Sequence, residues 1–332
     1  ELAVGVGAAW LYWWEVEQAA LMPRAVPPPF PLSLLVAQYA GHVMLIALML
    51  VATFIDFDEK TIPDAITVPG ALLGLVLFTL VPAAAPPVVQ ATISGPWQVA
   101  PLLFTAPNAW PKSLDAWPGL GLGAACFVGW CLAIWPKTST LRRGWIRGLR
   151  YVVVSMFRLA WWPFYPLLGL AGCVGAAAVW LWGGPPWHAL LTSLVGLAFG
   201  GGLIWAVRIV GGLSLKKEAM GFGDVTLMAM IGVYVGWQAC LMIFFLAPFV
   251  AVVVSVTQWI LTRRRDIPYG PYLCIATLLL IWWWSPVWED HAKMVFSLGW
   301  LIPALIIFCL LVLGGLLRLW RLLEDALFGP PA

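Results

Sequence analysis

Two aspartates stand at the ends of apolar runs in a chain that carries few charges. Asp56 ends the run LIALMLVATFID, and Asp224 opens the run GFGDVTLMAMIGVYVGW. A carboxylate at the edge of hydrocarbon is costly, so such residues usually have a function. Two adjacent carboxyl groups resist ionising together, which leaves one as an acid and the other as a base. We expect the pair to activate a water molecule by general acid–base catalysis, without a metal or a cofactor.

The residues before the second aspartate suit such a site. Gly221 and Gly223 flank Phe222, and glycine allows a close approach of the backbone that a side chain would block. Asp224 is then expected at the N-terminus of a helix, where the helix dipole favours an anion.

The first aspartate is followed by the polar turn FDEKTIPD. Pro63 enforces a turn, and Asp64 or Thr67 is expected to cap the next helix. The plainer alternative for the pair is that Asp224 only caps a helix and Asp56 only marks the end of a membrane span.

The composition indicates an integral membrane protein. Of the 332 residues, 62% are hydrophobic and 10% are charged, with a mean hydropathy of +0.93. A soluble domain has about 25% charged residues. The 23 tryptophans are typical of aromatic belts at the membrane interfaces. We predict an all-α, polytopic bundle of transmembrane helices, and we find no nucleic-acid-binding module.

About ten apolar segments are long enough to suggest spans, since a spanning helix needs about 20 apolar residues. The predicted spans are 2–14, 33–55, 66–85, 119–136, 161–182, 189–209, 225–236, 239–261, 271–286 and 295–317. The first and seventh are short, and 225–261 alternatively forms one bent hairpin around Gly236.

The basic residues orient this layout. With Asp56 facing the cytoplasm, most of the 18 Lys and Arg residues are cytoplasmic, as the positive-inside rule requires. Only Arg24, Lys112 and Lys293 fall on the other side. Both aspartates are therefore expected at the cytoplasmic face. The residues expected on the cytoplasmic side are Lys60, Lys137, Arg142, Arg143, Arg147, Arg150, Arg158, Arg208, Lys216, Lys217, Arg263, Arg264, Arg265, Arg318 and Arg321.

The basic segment 137–160 has arginines at helical spacing with apolar residues between them. This pattern favours an amphipathic helix lying in the interface against anionic lipids. The alternative is an ordinary cytoplasmic loop that leads into the fifth span.

Other conspicuous residues favour structural roles. Six cysteines are scattered through apolar segments without a CxxC motif, which favours buried free thiols over disulfides or zinc ligands. His42 stands alone in an apolar helix and is interpreted as a buried structural histidine. Three GxxxG spacings favour helix packing over a dimer interface; they are Gly70/Gly74, Gly196/Gly200 and Gly232/Gly236.

Three segments resemble the type IV prepilin peptidases, a family of membrane aspartic proteases. IDFDEKTIPDAITVPGALLGL is similar to the family's first catalytic segment, EAMGFGDVTLMAMIGVYVGWQ to the Gly-x-Gly-Asp segment, and IPYGPYLCIATLL to the Pro-Phe-Gly-Pro stretch. The opening ELAVGVGAAWLYWW resembles a family span. The resemblance covers roughly 1–80 and 189–290, and its segments occur in the family's order.

The resemblance implies that Asp56 and Asp224 are the catalytic pair of an endopeptidase. Its implied substrate is a prepilin or pseudopilin, cut after a short basic leader and before the hydrophobic helix. The implied location is the bacterial inner membrane, as a multi-pass protein whose site faces the cytoplasm. Proteolysis would need no metal or cofactor.

The third segment is also expected at the site. Pro268, Gly270 and Pro271 interrupt a helix start at cytoplasmic depth, where irregular backbone survives only beside protein or water. We expect these residues to line the substrate cleft. With Gly221, Gly223, Pro63 and Asp64, they complete the predicted set of site-shaping residues.

The chain departs from the family pattern in three ways. Its two aspartates are much farther apart, so 86–188 is interpreted as an insertion with two extra spans between an N-terminal part, 1–85, and a C-terminal part, 189–332. Thr226 stands where the family usually has lysine. No cytoplasmic domain with cysteine pairs is found, so methyltransferase activity stays unassigned.

Zinc and S-adenosylmethionine are expected only if that cysteine-pair domain precedes Glu1. The chain starts without a methionine, and we expect further residues upstream. Two alternative functions remain open from the sequence. One is a transporter that uses the carboxylates to move protons or cations, and the other is a catalytically silent membrane component of a secretion system.

Overall fold

The computed structural model describes residues 2–90, 97–135, 164–215, 220–262 and 268–328. Most of this part of the protein is helical, the helices are joined by turns and irregular segments, and the described strands are one short antiparallel pair, β1 (Pro87–Gln90) and β2 (Gln98–Pro101). The helices are α1 (Leu2–Tyr12), α2 (Leu32–Glu59), α3 (Asp64–Leu80), α4 (Trp117–Ala133), α5 (Phe164–Trp182), α6 (Gly184–Leu215), α7 (Phe222–Thr262), α8 (Gly270–Trp282), α9 (Trp284–Val287), α10 (Lys293–Phe296) and α11 (Leu301–Phe328). The predicted interfacial helix at 137–160 lies outside the described residues.

The prediction of an all-α membrane protein is confirmed. Among the described residues, α2, α5, α6, α7 and α11 are long and apolar enough to cross a membrane. A sixth candidate is α8 together with the segment Trp284–Phe296, which is bent against it by 83°. The predicted count of ten spans is not confirmed, because α3 and α4 have 17 residues and α1 has 11, fewer than the roughly 20 that a straight span needs.

Helix α7 is broken at Gly236, where the backbone has φ 80° and ψ 168°. Only glycine adopts a positive φ of this kind readily. The chain turns back on itself there, since a Cβ placed on Gly232 would lie 3.1 Å from Cys240 Sγ. The bent hairpin around Gly236, one of the two alternatives that the sequence left for 225–261, is the arrangement in the structure.

Glycines set the packing of α3 on the first half of α7. A Cβ on Gly70 would lie 2.6 Å from Met230 Sδ, and one on Gly74 would lie 2.7 Å from the ring of Tyr234. The Tyr234 hydroxyl donates a hydrogen bond of 2.9 Å to the Gly70 carbonyl. A step of four residues along α3, from Gly70 to Gly74, matches a step of four residues along α7, from Met230 to Tyr234. Helix α3 and this half of α7 therefore run in the same direction.

Helix α6 packs antiparallel on the same half of α7. Gly196 and Gly232 meet backbone to backbone, and a Cβ on Gly200 would lie 2.5 Å from the Met228 carbonyl oxygen. Small residues let helix backbones approach this closely. As a result, α2 and α6 end, and α3, α7 and α8 begin, at one end of the bundle.

A buried polar pair lies far from that end. His42 Nδ1 is 2.8 Å from Glu15 Oε1, and both side chains are almost fully buried. Glu15 lies in the π-helical turn Trp13–Glu17 that follows α1. His42, expected to be a buried structural residue, therefore pairs with a residue of another element. The six cysteines of the chain are free thiols in the structure.

Candidate active site

Asp56 lies in the last turn of α2 and faces the interior. It belongs to the helical stripe that also carries Met49 and Ala52, and it is only 3% exposed. The helix ends at Glu59, and the capping residue Lys60 has a left-handed φ of 54° and donates its N–H to the Asp56 carbonyl at 3.0 Å. This ending reverses the chain toward α3 and leaves the Asp56 carboxyl group at the rim of the bundle.

Asp224 lies in the first turn of α7, as predicted, and is 7% exposed. The backbone N–H of Gly221 donates a hydrogen bond to its carboxyl group. Gly223 packs directly on the turn after α2, because a Cβ at this position would lie 2.9 Å from Ile62 Cβ and 3.0 Å from its backbone nitrogen. The glycine thus allows the start of α7, which carries Asp224, to touch the turn that follows Asp56 and the end of α2.

The two carboxyl groups converge on the first residue of α8. A Cβ built on Gly270 would lie 2.7 Å from Asp56 Oδ2 and 3.5 Å from Asp224 Oδ1. The two oxygens are therefore at most about 6 Å apart, a gap that one water molecule can bridge with two hydrogen bonds. Asp56 Oδ2 has no hydrogen-bond partner among the described residues, so its lone pairs are available to a ligand.

The aspartates open into a cleft of about 650 Å³. Its walls come from the turn after α2, the turn before α7 and the start of α8. The lining residues are Asp56, Lys60, Thr61, Ile62, Pro63, Asp64, Met220, Gly221, Phe222, Gly223, Asp224, Pro268 and Tyr269.

Almost every residue predicted to shape the site is at this cleft. Gly270 is buried beside the two carboxyl groups and Pro271 is buried as the second residue of α8; neither is among the lining residues of the cleft. Sequence reasoning did not single out Lys60 or Tyr269. Their position could have indicated them, because each lies next to a motif residue in the sequence.

Tyr269 adds a donor to the cleft. Burial, reinforced by the negative charge of Asp224, raises the pKa of its phenol to about 12. The hydroxyl therefore keeps its proton at neutral pH. A tyrosine in this state can donate a hydrogen bond to a carbonyl group in the cleft.

The prediction that Asp64 or Thr67 caps α3 is wrong. The helix begins at Asp64 itself, and Pro63 precedes it without a side-chain capping bond. The Asp64 carboxyl group is instead hydrogen-bonded by the Thr226 side chain of α7, because α3 and α7 start side by side. Thr67 is buried, and its hydroxyl has no partner among the described residues.

In the described part of the chain, no group of three or more His, Cys, Asp or Glu side chains could hold a metal ion. Cys126 and Cys131 lie on α4, and the other four cysteines lie on four different helices.

Comparison with known proteins places similarity around the second aspartate. Residues 152–256 match the model of the type IV leader peptidase family. The matched region contains Gly221, Gly223 and Asp224, and Asp56 lies outside it. It begins at residue 152, within the segment 86–188 that the sequence analysis interprets as an insertion.

Curated proteins named "Prepilin leader peptidase/N-methyltransferase" are also similar. That of Pseudomonas aeruginosa is 36% identical over 104 residues, 30% of this chain and 36% of the relative. That of Aeromonas salmonicida is 31% identical over 116 residues, 31% of this chain and 38% of the relative. That of Escherichia coli is 30% identical over 89 residues, which are 26% of this chain and 40% of the relative. No solved structure matches the chain.

These matches cover only part of each protein. The chain spans at most 40% of the length of these three relatives. The match to the family model nevertheless includes Asp224, which supplies one of the two carboxyl groups of the cleft, and the three relatives carry the same name. The comparisons therefore show that residues 152–256 are similar to the type IV leader peptidase family.

Proposed function

We propose that the protein is a membrane aspartic endopeptidase that cleaves the N-terminal leader of prepilins or pseudopilins. The observation that carries the proposal is the convergence of Asp56 Oδ2 and Asp224 Oδ1 on Gly270, because both aspartates line the same cleft. The name of the relatives, prepilin leader peptidase, supports the choice of substrate.

The proposed mechanism needs one proton shared by the two carboxyl groups. The ionised group takes a proton from a bridging water as the water oxygen attacks the scissile carbonyl carbon, and the protonated group donates to the carbonyl oxygen. When the tetrahedral gem-diol intermediate collapses, the C–N bond breaks, the protonated carboxyl group gives its proton to the leaving amine, and a hydroxyl group of the intermediate returns a proton to the ionised carboxylate. The pair is thereby returned to its starting state, with one proton between the two groups.

Other residues of the cleft would hold the substrate. The Tyr269 hydroxyl, which keeps its proton at neutral pH, is a donor for a peptide carbonyl. Gly221 and Gly223 give a slim wall along which an extended leader can approach Asp224 closely. Asp64 lines the mouth and would attract the basic residues of a leader.

The proposed setting is the inner membrane of a bacterium, with the cleft at the cytoplasmic face. The bias of basic residues toward the side of Asp56 supports this orientation. Residues 86–188 are proposed as an insertion between an N-terminal part, 1–85, which supplies Asp56, and a C-terminal part, 189–332, which supplies Asp224. We also propose that residues 137–160 bind anionic lipids at the same face of the membrane.

The test is processing of a co-expressed prepilin, followed as a shift from precursor to mature form on a gel. Asp56→Asn and Asp224→Asn should each abolish processing, because an amide can neither take nor give the proton. Asp58→Asn is the matched control, since this carboxylate in the same helix end is exposed and lies outside the cleft. Membrane insertion of each variant is checked by fractionation.

Normal processing by either cleft variant would overturn the mechanism. Ion flux through proteoliposomes that requires Asp224, with no cleavage of any leader, would instead favour a transporter. Loss of processing in the Asp58→Asn control would show that processing depends on negative charge at the surface and does not specifically require the Asp56/Asp224 pair.

A further inference from the structure

Arg208 of α6 contacts the turn that leads into Asp224 without lining the cleft itself. Its Nε–H donates a hydrogen bond of 2.9 Å to the Met220 carbonyl oxygen. Its guanidinium carbon lies 5.8 Å from the centre of the Phe222 ring, within the range of a cation–π contact. Met220 and Phe222 both line the cleft, whereas Arg208 does not. One partly buried arginine therefore touches the wall of the cleft at two points.

The register of α6 against α7 explains why Arg208 reaches this turn. Gly196 meets Gly232 backbone to backbone. One turn further along α6, Gly200 packs on Met228, which lies four residues earlier in α7. Two more such steps lead along α6 to Arg208 and, in the facing chain, to the residue two positions before α7 begins. The carbonyl group of that residue lies outside the hydrogen-bond ladder of the helix, and Arg208 supplies its donor.

The hydrogen bond from Arg208 falls on a peptide group that Asp224 also uses. The Met220 carbonyl and the Gly221 N–H belong to one planar peptide unit, and in a trans peptide they point in opposite directions. Arg208 binds the carbonyl end of this unit, and the N–H end donates to the Asp224 carboxyl group. Hydrogen bonds linked in such a chain polarise and strengthen one another. The direction of the hydrogen bond to Asp224 therefore depends on a peptide plane that Arg208 helps to fix.

We propose that Arg208 is a positioning residue of the active site: it orients the peptide unit between Met220 and Gly221, and that unit orients the carboxyl group of Asp224. The inference rests on the proposed function, because it gives Arg208 a part in leader cleavage. The positive-inside rule alone would accept a basic residue at many positions near the end of α6. A hydrogen bond to this one carbonyl oxygen needs a donor at one place, so the proposal depends on the donor and not on the charge.

Three substitutions separate the donor from the charge. In glutamine, Nε2 stands as many bonds from the backbone as Nε does in arginine, so Arg208→Gln keeps an N–H donor at this place and removes the charge. In lysine a methylene group stands there, so Arg208→Lys keeps the charge and moves the donor one bond outward. Arg208→Met removes both and keeps an apolar stem. Arg318→Met is the control for loss of one positive charge, since Arg318 is exposed on α11 and lies outside the cleft.

The first measurement is leader cleavage by each purified variant in detergent, with kcat and KM determined for a full-length prepilin. We expect Arg208→Lys and Arg208→Met to lower kcat by about tenfold, equivalent to about 1.4 kcal/mol, because Asp224 is then held less firmly. KM should change less, since Arg208 does not line the cleft. Arg208→Gln should keep most of the rate, and Arg318→Met should cleave like the unaltered protein.

Hydrogen–deuterium exchange tests the contact without the reaction. Amide exchange over residues 220–224 is followed by mass spectrometry in the same detergent. Exchange in this segment should be faster in Arg208→Lys and Arg208→Met than in the unaltered protein, because the Gly221 N–H is then held less firmly. Exchange in Arg208→Gln should match the unaltered protein. The melting temperature of each variant is measured alongside, and if Arg208→Met does not fold, the comparison of the glutamine and lysine variants decides alone.

The order of the variants decides between donor and charge. A lysine variant that keeps the rate while the glutamine variant loses it would assign the effect of Arg208 to its charge and overturn the proposal. Equal rates in all variants, or equal losses in all three Arg208 variants with unchanged exchange over residues 220–224, would also overturn it. If exchange changes as expected but the unaltered protein cleaves no leader, the contact of Arg208 stands and the proposed function is wrong instead.

Discussion

Gly270 lies so close to Asp56 that a methyl group on its α-carbon would be 2.7 Å from the carboxyl oxygen Oδ2. Real Cβ contacts do not come this near, so an alanine at this position must displace the carboxyl group. Gly270 has an ordinary helical backbone, and alanine itself is well tolerated in a helix. Gly270→Ala is therefore a steric probe of the carboxyl pair.

We expect Gly270→Ala to lower kcat for leader cleavage by about 10²-fold, since a displacement of about 1 Å at a reacting group can have that effect. The measurement is the initial rate with a purified prepilin in detergent, together with the melting temperature of the variant. Cys274→Ala is a comparison in the next turn of α8. A rate unchanged by Gly270→Ala would mean that the two carboxyl groups need not share the space above Gly270.

The contact between Thr226 and Asp64 gives a second prediction. The Thr226 hydroxyl is hydrogen-bonded to the Asp64 side chain and also lies 3.1 Å from the Gly223 carbonyl oxygen, so it links the start of α7 to the start of α3. Thr226→Val keeps the shape and removes the hydroxyl. With a hydrogen bond contributing about 1 kcal/mol, we expect kcat/KM to fall about fivefold.

Thr226→Ser should restore the rate, because serine returns the hydroxyl. This rescue separates the hydrogen bond from packing, which serine would leave impaired. Equal losses in the valine and serine variants would assign Thr226 to packing alone. The resemblance places a lysine at this position in the family, and the contact explains why a polar side chain is accommodated beside Asp64.

The carboxyl pair was predictable from sequence because each aspartate interrupts an apolar run. The positive-inside bias then placed both on one face, and the structure brings them together. The contact of Thr226 with Asp64 was not predictable in the same way. It depends on α3 and α7 starting side by side, and that register is set by the contacts of Gly70 and Gly74 with α7.

The long helices coincide with apolar segments of the sequence, whereas the break at Gly236 depends on a positive φ that glycine adopts. The pairing of Glu15 with His42 does not follow from hydropathy. The two residues are in different elements, and only the π-helical turn after α1 directs Glu15 inward. From sequence, His42 had no visible partner within its own helix.

That buried pair gives a third prediction. His42→Leu leaves the Glu15 carboxyl group buried without its partner, and breaking a buried pair in this way costs about 3–5 kcal/mol. We expect a clear fall in the melting temperature in detergent. The specific activity of the folded protein should be kept, because His42 precedes Asp56 by about 20 Å along α2.

The control is the double variant Glu15→Leu with His42→Leu, which removes both polar groups. Replacing a buried pair with apolar residues is often neutral, so the double variant should be more stable than His42→Leu alone. A double variant less stable than the single one would show that the pair itself stabilises the fold. Loss of specific activity in His42→Leu at full stability would give the histidine a part in the reaction.

The fourth prediction concerns the contact of α6 with α7. Gly196 meets Gly232 backbone to backbone, and a Cβ on Gly196 would overlap the Gly232 carbonyl group. Gly196→Ala must therefore separate two helices whose packing positions Asp224. Overpacking typically costs about 1–3 kcal/mol, and we expect the loss of stability here to lie at the upper end of that range. Leader cleavage should fall in proportion to the folded fraction.

Gly202→Ala is the matched control on the same helix, since a Cβ there meets nothing within 4 Å. Because alanine favours a helix over glycine by about 0.5–1 kcal/mol, this variant should be unchanged or slightly more stable. Both are compared by thermal unfolding in one detergent and by leader cleavage. Equal stability of the two variants would mean that α6 and α7 are not packed as closely as their glycines allow, and the position of Asp224 would then need another support.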